Sequence, residues 1–368
     1  MADQGIRLQL AIGPTVPVPA PYSVIDALTS LEVTSQDHQR DGFQMTFSMG
    51  KDSLLDYGLL GGGLLDPPSR VIVMVFINFL PQILIDGLIT HHQVQPSNQP
   101  GQSRLTVTGE DISLQMDLEE KSVTYPNQSD SAIVTQILGS YGLVPDVTPT
   151  TKVPVETEEV PSQQGTDLSY TQTLAKQNGF VFFVEPTDIP MVNRAYWGPD
   201  HRIGGVQSPL TMNMGAATNV ERLDFTFDAL KPEEPIVQVL DPVLGLPITI
   251  PIPTGFRPTL VGKPTRALRK TMARDTAGLS AVDAALKMLE LLTQSSDSVD
   301  GSGELDALQY GRALRARQLV AVRGAGQSYD GTYYVKQVTH SIRRGEYRQS
   351  FSLTREGQGA LSLQVGSS

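Results

Sequence analysis

Apolar and polar residues alternate along most of this chain, and the alternation is sharpest in its last third. The runs are Leu319-Val-Ala-Val-Arg-Gly, then Gly331-Thr-Tyr-Tyr-Val-Lys-Gln-Val-Thr-His340, then Glu346-Tyr-Arg-Gln-Ser-Phe-Ser-Leu-Thr-Arg355. Period-2 runs separated by glycine-rich or charged turns predict consecutive hairpins, here a closed antiparallel meander. Asp330-Gly331 supplies the positive-φ residue that a tight turn needs.

The same alternation predicts strands near residues 7–12, 25–33, 43–49, 71–79, 82–94 and 103–109, enough for a small barrel. Residues 71–89 are the most hydrophobic stretch, but Asn78, Pro81, Gln82, Asp86 and Gly87 interrupt it. They are read as two buried strands around a turn, with no direct membrane insertion. The texture changes near residue 120. Residues 129–142 and 169–179 have a capping start, apolar residues at helical spacing and a glycine stop. The second predicted helix leads straight into the strand Phe180-Val-Phe-Phe-Val-Glu. Residues 195–230 return to strands, and proline-rich residues 231–264 read as an extended connector. An amphipathic helix follows at 277–294, then a polar gap at 295–303 and a short helix at 305–315. The predicted fold class is therefore predominantly β with an α+β insertion. The divisions are a barrel-like domain at 1–119, the insertion at 120–194, strands at 195–230, the connector at 231–264, and helix plus meander at 265–368.

Charge narrows the function classes. With 28 basic and 39 acidic residues in 368, the net charge of −11 argues against nonspecific nucleic-acid binding. Acids dominate residues 110–190, while residues 312–355 hold nine of the bases, among them Arg343, Arg344 and Arg348. Opposed charge at two places on one chain suits oriented contact between subunits. There is no cysteine, which excludes disulfides, thiolate catalysis and cysteine zinc sites. No signal peptide is visible at the N-terminus, so assembly in the cytoplasm is expected.

Candidate chemistry is sparse. The five histidines (His38, His91, His92, His201, His340) form no HExxH motif, and the adjacent His91 and His92 would face opposite sides of a strand. Gly324-Ala-Gly326 begins like a phosphate loop but leads into a turn and a strand, not into a helix N-terminus. Glu110-Asp111 and Glu158-Glu159 are the carboxylate pairs a glycosidase reading would use. No GxSxG elbow occurs. Neither catalytic residues nor a cofactor or metal are expected.

The order of motifs resembles a known family. Ile83-Leu-Ile-Asp-Gly-Leu-Ile-Thr and Ser103-Arg-Leu-Thr-Val-Thr-Gly-Glu-Asp111 resemble the first barrel of the phage late control protein D family, the baseplate hubs of contractile tails. Ser131-Ala-Ile-Val-Thr-Gln-Ile-Leu, Thr166-Asp-Leu-Ser-Tyr through Phe183-Val, and the run from Gly331 to His340 extend the likeness over most of residues 70–356. The resemblance implies two tail-tube-like β-barrels per chain and a homotrimer forming a pseudo-sixfold ring. That ring would adapt a threefold spike, here a separate protein, to a sixfold inner tube, with tube-initiator and baseplate wedge proteins as further partners. It implies a structural role and no enzyme activity. Tyr329, Tyr333, Tyr334, Arg343 and Arg344 are the candidate subunit or tube contacts, tyrosine and arginine being favoured interface anchors. Two other readings stay open: a peptidoglycan- or polysaccharide-acting hydrolase, and a monomeric barrel that binds a ligand. Tyr333 and Tyr334 can also be read as packing on the two faces of their own wall.

Overall fold

The computed structural model describes residues 5–50, 59, 62–99, 101–157, 160–200, 202–240, 245–252, 258–274, 276, 278–294 and 297–361. The first half lays down β1 (Ile6–Gly13), β2 (Val18–Pro19), α1 (Tyr22–Ala27), β3 (Leu28–Gln36), β4 (Gly42–Met49), β5 (Arg70–Ile77), β6 (Leu80–Gln95) and β7 (Ser103–Asp111). The insertion holds β8 (Glu120–Thr124), α2 (Asp130–Ser140), β9 (Val144–Val147), β10 (Ser162–Thr166), α3 (Asp167–Gln177), β11 (Val181–Pro186) and β12 (Asn193–Gly198). After it come β13 (Val206–Thr211) and β14 (Arg222–Phe227), then the short β15 (Glu233–Ile236), β16 (Gln238–Leu240), β17 (Pro247–Thr249), β18 (Val261–Pro264) and β19 (Arg269–Met272). The chain ends with α4 (Ala281–Gln294), β20 (Val299–Asp306), α5 (Ala307–Tyr310), β21 (Leu319–Arg323), β22 (Gly331–Arg343), β23 (Glu346–Arg355) and β24 (Gly357–Ala360).

Thirteen strands share one sheet, whose main path runs β14-β20-β23-β22-β3-β4-β7-β6-β5-β1-β2. Two long strands make this possible. The first part of β22 pairs with β21 and its last part, from Gln337, pairs with β3. Likewise β6 pairs with β5 up to Leu88 and with β7 from Gly87 onward. Alternate residues turn inward and build two separate cores. One lies under the first half, around Leu31, Phe47, Val73 and Ile85, and the other under the second half, around Val320, Tyr333, Val338 and Leu353. The insertion has a third core, where Trp197 is fully buried with its indole N–H donating to Thr171 O at 3.2 Å. The first of its helices starts as the sequence predicts, with Ser129 Oγ accepting from Ala132 N–H; the second starts earlier than the predicted Ser169, because Thr166 is the N-cap and its Oγ1 accepts from Ser169 N–H.

Several expectations change. The halves do not close as two independent barrels. Among the described residues the hydrogen-bonded path joins them through β22 and β3 and ends at β14 and β2. The strand predicted from residue 25 begins at Leu28. Pro21, at φ −57, stands before a short helix instead, and its carbonyl accepts from the amides of Val24 and Ile25. The polar gap at 295–303 contains the start of β20. Its glycines are sites of close approach, with the Phe225 ring against Gly301 and the Phe351 ring against Gly303. The helix expected over 305–315 is only α5, capped by the Asp306 carboxylate and stopped at Gly311 (φ 80). The connector is less loose than expected. It makes three small ladders: β15 with β19, β16 with β17, and β18 with β24.

Candidate interaction surface

Eight neighbouring strands of the sheet form a wall, four from each half of the chain: β14, β20, β23 and β22, then β3, β4, β7 and β6. Inward residues of this wall are mostly apolar, with His340, Gln349 and Arg355 buried among them; outward residues are hydroxyls, amides and a few balanced charges. Across five strands the register runs Arg222, Glu304, Ser350, Thr339, Thr34. A second row runs Arg348, Ser341, Glu32, Gln44, Thr108, His91. A third runs Ser30, Thr46, Thr106, Gln93. Where the two halves meet, Thr34 and Thr339 hydroxyls lie 3.1 Å apart. Charges on this face neutralise locally: Arg348 pairs with Glu221 at 2.6 Å and Glu304 at 3.3 Å. The Glu346 carboxylate above all, and with it Glu304 and Glu221, raise its guanidinium above its ordinary range. Among the described residues β14 pairs only with β20, and residues 91–95 of β6 pair only with β7. Among the described residues both lateral edges of the wall are therefore unpaired, as a further strand would require.

The wall has two unlike ends. At one, the insertion is fastened to both halves by buried arginine–carboxylate pairs. Arg317 of the second half contacts Asp41 of the β3–β4 loop, and its guanidinium lies 4.5 Å from the ring centre of Phe183 in the insertion. Asp111 adjoins this joint, accepting the Asp41 amide at 2.7 Å and the Ser113 amide at 2.8 Å. Burial, and after it the negative charge of Asp41, push the Asp111 carboxyl up to about 6. A second fastener is Arg70, bidentate to Asp86 at 2.7 Å, with Asn193 of β12 donating to the same carboxylate at 2.9 Å. A third pair, just beyond the insertion, holds the segment after β12 to the second half: Arg202 to Asp297 at 2.7 Å, over the Tyr334 ring.

At the other end, the β22–β23 turn carries Arg343 and Arg344 beside the β5–β6 hairpin tip. A groove of about 810 Å³ lies between them.

The five candidate contact residues do not form one site. Tyr333 is wholly buried in the second core, its hydroxyl donating to Tyr329 O at 2.7 Å and its ring under the Arg355 guanidinium at 4.1 Å. Tyr334, 2 % exposed, packs on the opposite side with Leu260, Val261 and Leu319. Both rings belong to the interior of their own chain, as alternation on β22 requires, so the expectation of direct contact is corrected for them. Tyr329 is half-buried and stacked on Phe225 at 5.0 Å. Arg343 and Arg344 are exposed, at the far end of β22 from the tyrosines. What the sequence reading missed is the hydroxyl-rich outward face; the Thr-x-Thr and Ser-x-Ser spacings of β7, β23 and β4 were its signal.

The remaining chemical candidates also find places. The Gly324-Ala-Gly326 turn is internally satisfied, with Ala325 N–H donating to the Asp330 carboxylate at 2.7 Å. Glu110 and Asp111 turn to opposite faces of β7, Glu110 to Arg40 at 3.0 Å and Asp111 into the joint, so they are not a catalytic pair. Glu158, Glu159 and His201 lie outside the described residues. His91 faces outward and exposed, while His92 lies 3.5 Å from Asp66. His340 is buried, its Nδ1 2.8 Å from the Tyr347 hydroxyl, and burial with the nearby Arg315 charge lowers it to about 3.

Comparison with solved structures identifies the fold. A tail protein from Neisseria meningitidis superposes with TM-score 0.64 at 13% identity, covering 96% of this chain and 97% of that one. The 43 kDa tail protein of prophage MuSo2 from Shewanella oneidensis gives 0.63 at 14% identity, with 95% and 98% covered. An E. coli component of the type VI secretion system, described as structurally similar to the phage T4 tail proteins gp27 and gp5, gives 0.57 at 14% identity, with 96% and 79% covered. The fold is that of phage tail proteins. A family model for the Alg8 N-terminal domain matches residues 52–198. That stretch takes in β5 to β7 without the β3 and β4 strands of the same core, so it corresponds to no unit of this fold. No curated protein matches.

Proposed function

We propose that this chain is the structural hub of a phage-tail or contractile-injection baseplate. Three copies would close into a pseudo-sixfold ring between a threefold spike and the inner tube. The observation that carries this reading is the wall: four strands from each half of one chain, edge to edge, over two separate cores. Each half then acts as one tail-tube-like lobe, and three chains present six. The hydroxyl-lined face would line the channel, where a nearly neutral, wet surface holds nothing that passes. The apolar residues are turned into the lobes. Ring closure places β14 of one copy beside residues 91–95 of β6 of the next. Both edges alternate alike: Arg222, Asp224 and Thr226 or His91, Gln93 and Gln95 outward, and Phe225 or Val94 toward a core. A further strand would continue both faces without a break. The interface should be of obligate size, above roughly 2,000 Å² in total. Phe227, 42% exposed at the β14 edge, would be covered there. Phe227→Asp is expected to leave the chain folded and break the trimer into single chains, read by sedimentation velocity. A trimer that survives this change would remove the assigned edge. On this account separate spike, tube and wedge proteins are the partners, and no reaction is catalysed.

A further inference from the structure

The end of the wall opposite the insertion carries a residue that its own chain does not explain. The β5–β6 hairpin turns on Asn78 (φ 50) and Phe79 (φ 69), both in the left-handed region. A bulky aromatic there is an outlier, since asparagine or glycine makes the same turn with less strain. The Phe79 ring is also 95% exposed, and Leu80 next to it is 55% exposed. Among the described residues neither the turn nor the core gains from phenylalanine at this position, and with Leu80 it makes an exposed apolar tip that a partner could cover.

The surroundings say what kind of partner that is. Phe79 flanks the groove of about 810 Å³, whose floor is Phe76, Ile342 and Leu308. Arg7, Arg343 and Arg344 stand at its mouth, against Asp26 and Glu346. Arg344 lies 3.8 Å from Asp26 and Arg343 stands across from Glu346, so this apolar groove keeps an excess of one positive charge on a chain whose net charge is −11. It also lies at the end of the wall strands, beyond the β22–β23 turn, whereas the unpaired edges run along β14 and β6. A neighbouring copy seated at those edges would not cover it.

We propose that this groove is the docking site for a separate tail protein stacked on the insertion-free end of the ring. Phe79 is the anchor, and Arg343 and Arg344 receive a loop with an apolar side chain flanked by carboxylates. The inference rests on the ring reading for what counts as an end and what as a side. Aromatic and arginine anchors at an exposed apolar groove are the usual composition of an energetic centre of contact.

The test is a photoreactive benzoylphenylalanine at position 79 of the full chain, in tail particles purified from cells that make them. Irradiation is followed by mass spectrometry of the linked peptides. The expected link joins position 79 to one different particle protein, within a segment carrying Asp or Glu beside an apolar residue. Adding Arg343→Glu and Arg344→Glu should lower its yield about tenfold. Arg343 faces Glu346 across the strands and Arg344 lies 3.8 Å from Asp26, but all four groups are exposed, so the thermal midpoint should fall only slightly. A link between two copies of this chain, no link at all, or a link whose yield ignores the charge reversal would overturn the proposal. The ring reading is scored separately by counting copies per particle. A hub present singly would sink that reading whatever position 79 touches.

Discussion

Arg317 ties three parts of the molecule together through a single side chain. It is backbone-strained (φ 62), paired with Asp41 of the first half, and stacked on Phe183 of the insertion. Removing one member of a buried ion pair leaves an uncompensated charge, so Arg317→Ala should lower the unfolding free energy by about 3–5 kcal/mol in urea denaturation. Lysine should recover only part of this, since it can neither stack nor fork. The nearby titrations have opposite signs. Asp111 is raised to about 6 from 3.8, so between these values the folded chain binds the extra proton, and its contribution to stability is lost as pH rises through 6. His340 is lowered to about 3 from 6.5, so its contribution is lost as pH falls below 6.5. Asp111→Asn should therefore make stability fall more steeply on acidification from pH 6 to 4, and His340→Gln less steeply. Equal slopes in both variants and the parent would refute the assignment. At this scale the sequence showed that His340 was a strand residue, but Arg317 was invisible. Its partners lie 276 and 134 positions away, and nothing local marks such a pairing.

Strands with strong alternation were legible as elements; strands built on glycine were not. β20 reads Val-Asp-Gly-Ser-Gly-Glu-Leu-Asp, which by composition is a loop. Its glycines are strand residues because aromatic rings occupy the space a side chain would take. Phe351 lies over Gly303 as its direct cross-strand partner, and Phe43 lies over Gly109 in the same relation on the other half. A Cβ at Gly109 would stand 2.3 Å from both the Phe43 ring and the Leu88 carbonyl oxygen. Gly109→Ala should cost about 1–3 kcal/mol by overpacking, measured by thermal or urea unfolding. Phe43→Leu in the Gly109→Ala background should restore part of it, because the ring contact would be gone. The helices were legible because their caps are local: Ser129 caps the first where the sequence placed it, and the second was found but begun too late, since Thr166, and not Ser169, accepts the capping bond. The overextended helix prediction at 305–315 failed for the same local reason in reverse. Asp306 starts α5 and Gly311 ends it within one turn.

At the scale of the whole molecule, the sequence announced a β-rich region at each end and an α+β insertion between. It did not announce that β22 crosses from one to the other and pairs with β3, because strand pairing over 300 residues has no local signature. That junction turns two barrel-like halves into one eight-stranded wall with a hydroxyl-rich face and, among the described residues, two unpaired edges. The central claim is that the wall is one third of a ring. Its most direct test is the mass in solution by light scattering, alone and with the spike protein of the same particle. The account predicts three copies of the 39.9 kDa chain, either alone or once the spike is added. A mass of one chain that neither concentration nor the spike changes would contradict it.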